Sequence, residues 1–336
     1  MRALALIPLL LLPFSAAAQD HTPILTDVAE AHILPRFSTL AEATEVLTTT
    51  ARTDCDPASA NLRATYGRAF DNWISVSHLR FGPTETEDRA FAMAFWPDTK
   101  GFTPKALSQL IADEDPAVAN AEAFSHISVA GRGFFALERM IYDPAFAEQG
   151  TAAYRCALIQ AIAADIDANA DTIDNDWQSY APTLTQPGAN SRYRTQDEAM
   201  QELFKSLSTG LQFTADTRLG RPLGTFDRPR PKRAEARRSE RSLRHVELSL
   251  IALRDLAVRL SVDHPEIAED LDMSFGIAIG DAQSIDDPAL AGLATPQGRF
   301  RVEALQQSIN DIRMITASEL GPTLGISAGF NSLDGD

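Results

Sequence analysis

Residues 131–143 read GRGFFALERMIYD. Within this stretch a single acid, Glu138, stands among Phe134, Phe135, Leu137, Met140 and Ile141. Those apolar residues cover most of the circumference of a helix, so the segment is expected to be buried on several sides. A carboxylate placed there must find a donor, a cation or a proton, because a bare buried charge is very costly. Two readings follow. In one, Glu138 forms a structural ion pair with Arg132, Arg139 or a more distant arginine. In the other it is a metal ligand or a binding carboxylate in a cleft.

Outward from this stretch the periodicity stays helical. Leu40, Ala43, Val46 and Leu47 recur at three and four residues, as do Leu62, Tyr66, Phe70, Trp73 and Ile74 before the Gly82-Pro83 stop. Further helices are expected at 104–113, 117–142, 151–179, 194–217, 232–262, 265–283 and 298–319, and no run has the period-two pattern of a strand. The fold class is therefore all-α, as two four-helix-type bundles packed together. The stretch APTLTQPGANS, 181–191, breaks the helical pattern near the midpoint and marks the expected boundary between an N-terminal bundle, 19–186, and a C-terminal bundle, 187–336. GRPLGTFDRPRPK, 220–232, reads as a crossover loop inside the second half.

The chain opens with Arg2, an unbroken apolar run and the small residues Ala16, Ala17 and Ala18, the pattern of a cleaved secretory signal spanning 1–18. That run is short for a membrane span, and no later segment is apolar enough to cross a bilayer. The expected location is the periplasm or the medium. A net charge of -16 argues against nucleic acid as a partner and favours attraction for cations. Cys55 and Cys156 most simply form one disulfide in an oxidising compartment, with two buried free thiols as the alternative.

Two further groups of residues have chemical potential. Glu122 and His126 are four apart and share a face if 117–142 is one helix, a spacing that suits a salt bridge or two ligands for one metal. Glu138 joins them as a candidate third ligand only if Gly131 and Gly133 distort that helix or another helix closes the site. In RPRPKRAEARRSERSLRH, Arg237, Arg241 and Arg244 fall on one face of the expected helix, where they would clamp a carboxylate or phosphate, or else pair with the chain's own acids. No nucleophile elbow, phosphate loop, H-E-x-x-H or C-x-x-C motif is present.

The opening stretch resembles the imelysin family, whose mark is a Gly-x-His-x-x-Glu motif on a bundle helix. Gly133 and Glu138 stand in register, and Phe135 replaces the histidine. LRFGP at 79–83, FWPD at 95–98 and the terminal LGISAGFNSLDGD at 324–336 are similar to further stretches of that family. The resemblance implies two helical bundles with the motif near the cleft between them, a place at bacterial outer surfaces or periplasms, and iron uptake or other ligand binding; some members are classed as metallopeptidases. A zinc hydrolase needs about three protein ligands, and Phe135 supplies none, so no catalytic residue is assigned. The expected function is an exported, non-catalytic binding protein for iron or another metal ion, working with membrane-located uptake components. The alternatives are a metallopeptidase with a degenerate site and a binding protein for an anionic ligand.

Overall fold

The computed structural model describes residues 20–189 and 191–326. The expected signal segment and all but the first three residues of the terminal motif lie outside the described residues. Among the described residues nine longer helices carry the fold: α1 (Leu34–Thr53), α2 (Ala60–Val76), α3 (Phe102–Asp113), α4 (Gly133–Tyr142), α5 (Ala152–Thr185), α6 (Gln196–Gln212), α7 (Ser242–Leu260), α8 (Pro265–Ser284) and α9 (Pro296–Ile315). No strand forms among them beyond one isolated bridge, Thr225 to Arg228. The chain is all-α.

In the first half α1 packs against α2 and α5, and α4 lies on α5. In the second, α7 packs on α6 and α8, and α9 on α8 and α6. The two four-helix groups meet where α7 crosses α2. The amphipathic pattern explains the arrangement, since Leu62, Tyr66, Phe70, Trp73 and Ile74 of α2 and Val246, Leu250, Leu253 and Leu256 of α7 are all buried. The helical break expected at 181–191 begins later than its composition suggests, because α5 continues through Pro182 to Thr185. Cys55, just beyond α1, is bonded to Cys156 in the first turn of α5.

Two expected helices are corrected. Residues 117–142 do not form one helix but four short pieces, Pro116–Ala119, Ala121–Ser125, Val129–Gly131 and α4. The side chains of Asp115, Asn120 and Ser128 each accept from a backbone N–H of the piece that follows, so each restarts the chain as an N-cap. Residues 232–241 are likewise not helical, and α7 starts at Ser242. Ala236 and Glu240 have positive φ angles of 43° and 57°, and the Ser242 hydroxyl donates to the Glu235 carbonyl at 2.6 Å. This non-helical strap lies across α4.

π-helical turns interrupt the regular pattern at Val28–Ile33 and Phe213–Leu219, the first leading into α1 and the second continuing α6. Each widens the helix locally and re-aims side chains. The first places His32, and the second Arg218, in the interior between the two groups.

Candidate ligand-binding cleft

Gly133 sets the geometry of the motif. Its φ is +72°, and a Cβ there would lie 2.2 Å from the Ala92 carbonyl oxygen and 2.4 Å from that of Met93. The 89–93 segment can therefore approach α4 only because this residue has no side chain. That approach brings the FWPD stretch alongside, with a cis Trp96–Pro97 bond, and Trp96 stacks on Phe135 with centroids 6.2 Å apart.

Glu138 is 2% exposed, and its partner is neither Arg132 nor Arg139. Arg132 is committed to Asp165 at 2.6 Å, and Arg139 to Asp143 at 2.9 Å. Glu138 Oε1 instead accepts from the Ser239 N–H at 3.0 Å and the Ser239 hydroxyl at 2.8 Å, both supplied by the strap. Burial pushes the Glu138 carboxyl up, and the Ser239 bonds with the nearby Arg238 and Arg139 charges only partly offset it.

The other expected ligands are elsewhere. Glu122 and His126 are exposed, on and just after the short Ala121–Ser125 helix, whereas Glu138 is buried in α4. Among the described residues no group of three or more His, Cys, Asp and Glu side chains is placed to hold a metal ion. A bare cation does not fit at Glu138 either, because Arg139 and Arg238 stand beside the carboxylate. The Arg237, Arg241 and Arg244 face is also not formed, since the strap breaks the helix they were expected to share. Arg241 and Arg244 both pair with Asp71, Arg244 also reaches Glu247 at 3.1 Å, and Arg237 donates to the Lys232 carbonyl.

Different cations line the cleft in front of Glu138. A pocket of about 130 Å³ is walled by Trp96, Asp98, Phe135, Glu138, Arg139, Arg221, Lys232, Arg233 and Arg238. Arg139 and Arg238 share Asp143, and Asp98 accepts the backbone N–H groups of Phe102 and Thr103. Among the described residues Arg221, Lys232 and Arg233 have no carboxylate within salt-bridge distance. Burial and the neighbouring Arg233 both lower the Arg221 pKa, the mark of like charges held close together. The sequence showed this arginine concentration, but it could not show which members would face the motif.

On the other side of Trp96 and Phe135 lies a larger cavity of about 380 Å³ between α2, α6 and the 213–219 turn. Its floor holds a buried pair, Arg218 to Glu235 at 2.7 Å, with His245 Nδ1 3.3 Å from the same carboxylate oxygen. Burial acts to raise Glu235, but Arg218 and His245 overcome it and bring the carboxyl down to about 2.

A histidine chain runs from this cavity towards the surface. His78 Nε2 and His32 Nε2 are 2.9 Å apart, and His32 Nδ1 is 2.7 Å from Asp255. Arg36 and Arg259 also pair with Asp255. Burial, only partly countered by the Asp255 bond, brings His32 down to about 4, and burial carries His78 well below its usual value.

A depressed histidine pKa gives stability that is complete above the unfolded value near 6.5 and is lost as pH falls towards the folded value. With His32 at about 4, its share of the loss between pH 7.5 and pH 5 comes to about 2 kcal/mol. Urea unfolding at the two pH values is expected to show at least that loss in the wild type, with a smaller loss in His32→Gln. Equal stability at both pH values would mean that the histidines are not held neutral.

No helix among the described residues is long and apolar enough to cross a membrane. The imelysin family model matches residues 33–314. Iron-regulated protein A of Synechococcus elongatus is 26% identical over 323 residues, covering 88% of this chain and 86% of its own length. The crystal structure of an imelysin-like protein from Psychrobacter arcticum superposes with a TM-score of 0.78 at 21% identity, over 92% of this chain and 97% of that one. A putative iron-regulated protein A precursor from Parabacteroides distasonis gives 0.70 at 12% identity, over 91% and 97%. Both structural likenesses agree with the all-α fold described above. The chain belongs to the imelysin family.

Proposed function

We propose that this chain is an exported, non-catalytic binding protein that takes an anionic ligand in the cleft before Glu138, and that in the cell this ligand is a carboxylate-rich metal chelate, iron being the first candidate. The observation that carries the reading is the group of Arg221, Lys232 and Arg233 around the pocket, without carboxylate partners among the described residues. Guanidinium groups recognise carboxylates and phosphates in paired hydrogen bonds, and a bound anion would relieve the repulsion between Arg221 and Arg233. The iron link is supported by the name of the Synechococcus relative. Export is supported by the N-terminal pattern, the disulfide and the word precursor in the description of the Parabacteroides protein. A periplasmic location and delivery to membrane-located uptake components follow from that reading.

Calorimetric titration with citrate, with ferric citrate and with ferric, zinc and calcium ions alone tests it. Citrate is expected to bind at one site, to weaken as salt is raised, and to lose about tenfold or more in Arg221→Ala/Arg233→Ala, the range for charged hydrogen bonds. Glu138→Gln removes a negative charge beside the pocket and is expected to hold citrate at least as tightly as the wild type. Failure of the wild type to bind citrate, or binding of a bare metal ion that disappears in Glu138→Gln, would overturn the proposal.

A further inference from the structure

The larger cavity beyond Trp96 and Phe135 has its own chemistry, which does not depend on the cationic pocket. Trp73, Trp96, Phe135 and Phe213 form an aromatic box along it, Trp96 packing on Phe135 in a stacked and on Phe213 in an edge-on arrangement. Its volume of about 380 Å³ lies within the range of small-molecule sites, roughly 300–1,000 Å³. Five hydroxyls of its wall, on Ser77, Ser206, Thr209, Thr214 and Ser249, each donate to a carbonyl three or four residues back along the chain. Their donors are committed within the protein.

His78 is different. It lines the same cavity, is 6% exposed, and its Nδ1 is buried with no hydrogen-bond partner. The state of that atom follows from the chain behind it. Burial acts to raise Asp255, but the bonds from His32 and Arg259, with Arg36 beside them, hold its carboxyl well below the usual range. Ionised Asp255 only accepts, so His32 Nδ1 carries the proton and donates to it. Neutral His32 then has a lone pair on Nε2, which requires His78 Nε2 to be the donor across the 2.9 Å contact. That leaves a lone pair on His78 Nδ1, a buried acceptor with nothing donating to it. Close packing supports the placement, because a Cβ at Gly210 of α6 would lie 2.6 Å from Leu253 and 3.0 Å from the His78 Cβ.

We infer that this cavity binds a planar aromatic small molecule that carries a hydroxyl or N–H group, which donates to His78 Nδ1 while the ring lies in the aromatic box. The Asp255–His32 chain fixes the imidazole as an acceptor, so the site selects donors over molecules of the same shape without one. The selection is of the kind in which a buried polar group left unpaired penalises the wrong ligand.

The test uses the mature protein and two probes of like shape, 2-naphthol and 2-methoxynaphthalene, with calorimetry and quenching of tryptophan fluorescence as readouts. One site for 2-naphthol is expected, with about tenfold or greater preference over the methoxy compound, and with that preference lost in His78→Phe. Nitrogen-15 correlation spectra of the wild-type imidazoles add a reading that needs no variant. The unliganded protein should show His78 protonated on Nε2 and His32 on Nδ1, and 2-naphthol should shift the His78 Nδ1 resonance. Equal affinity for the two probes, no binding of 2-naphthol, or a His78 protonated on Nδ1 would each overturn the inference. Citrate binding is measured separately, so either reading can fail alone.

Discussion

Replacing Gly133 with alanine is expected to cost about 4 kcal/mol or more, a large share of the total of roughly 5–15 kcal/mol typical of a folded domain. Two penalties act together. A left-handed backbone costs a residue with a Cβ about 1–2 kcal/mol, and here φ is +72°. The new methyl would also lie 2.2 Å and 2.4 Å from two backbone carbonyl oxygens, and backbone cannot rotate out of the way as a flexible side chain does. Either the 89–93 segment moves off α4, taking Trp96 out of the wall it shares with Phe135, or the start of α4 unwinds. Urea unfolding with citrate titration measures both effects. Gly276 serves as the contrast: it sits inside α8 with nothing within 4 Å of the Cβ position. Gly276→Ala is expected to stabilise by about 0.5–1 kcal/mol through helix propensity. A loss below about 1 kcal/mol in Gly133→Ala would show that the contact between the 89–93 segment and α4 is soft.

Removing the Cys55–Cys156 bond is expected to cost about 4–5 kcal/mol, because the bridge closes a loop of roughly a hundred residues and the entropy it removes from the unfolded chain grows with loop length. The sequence separation is 101. The bond ties the end of α1 to the start of α5, two helices that pack along each other. Cys55→Ser/Cys156→Ser and the reduced wild type should therefore show the same lowered urea midpoint, with the fold retained at low denaturant. A change under about 1 kcal/mol would mean that the unfolded chain already keeps α1 and α5 together. The bond is also what an oxidising compartment would maintain.

The site was legible in the sequence only in part. GRGFFALERMIYD named the two residues that shape it, Gly133 and Glu138, because a glycine beside an apolar helix and a lone acid within it are local anomalies. The expected ion pair for Glu138 and the shared face of Arg237, Arg241 and Arg244 both failed for one reason. Each assumed that an arginine near in sequence or in helical register would be near in space, while the strap turned at Ala236 and Glu240 and presented Ser239 to Glu138. The breaks in 117–142 were readable after all, since Asp115, Asn120 and Ser128 are N-cap residues. Periodicity alone passed over them.

Local sequence is enough for the all-α class, the position of most long helices, the disulfide and the motif, because helical period, capping and a glycine requirement are properties of a few neighbouring residues. The surroundings of those residues were settled by the packing of the whole chain. His32, His78 and Asp255 form a chain across 46 and 223 positions, and Ser239 reaches Glu138 across 101. Such pairings rest on how α7 crosses α2 and how two π-helical turns re-aim the side chains they carry. Those choices follow from burial of the whole apolar surface at once, and no short window of sequence contains that surface.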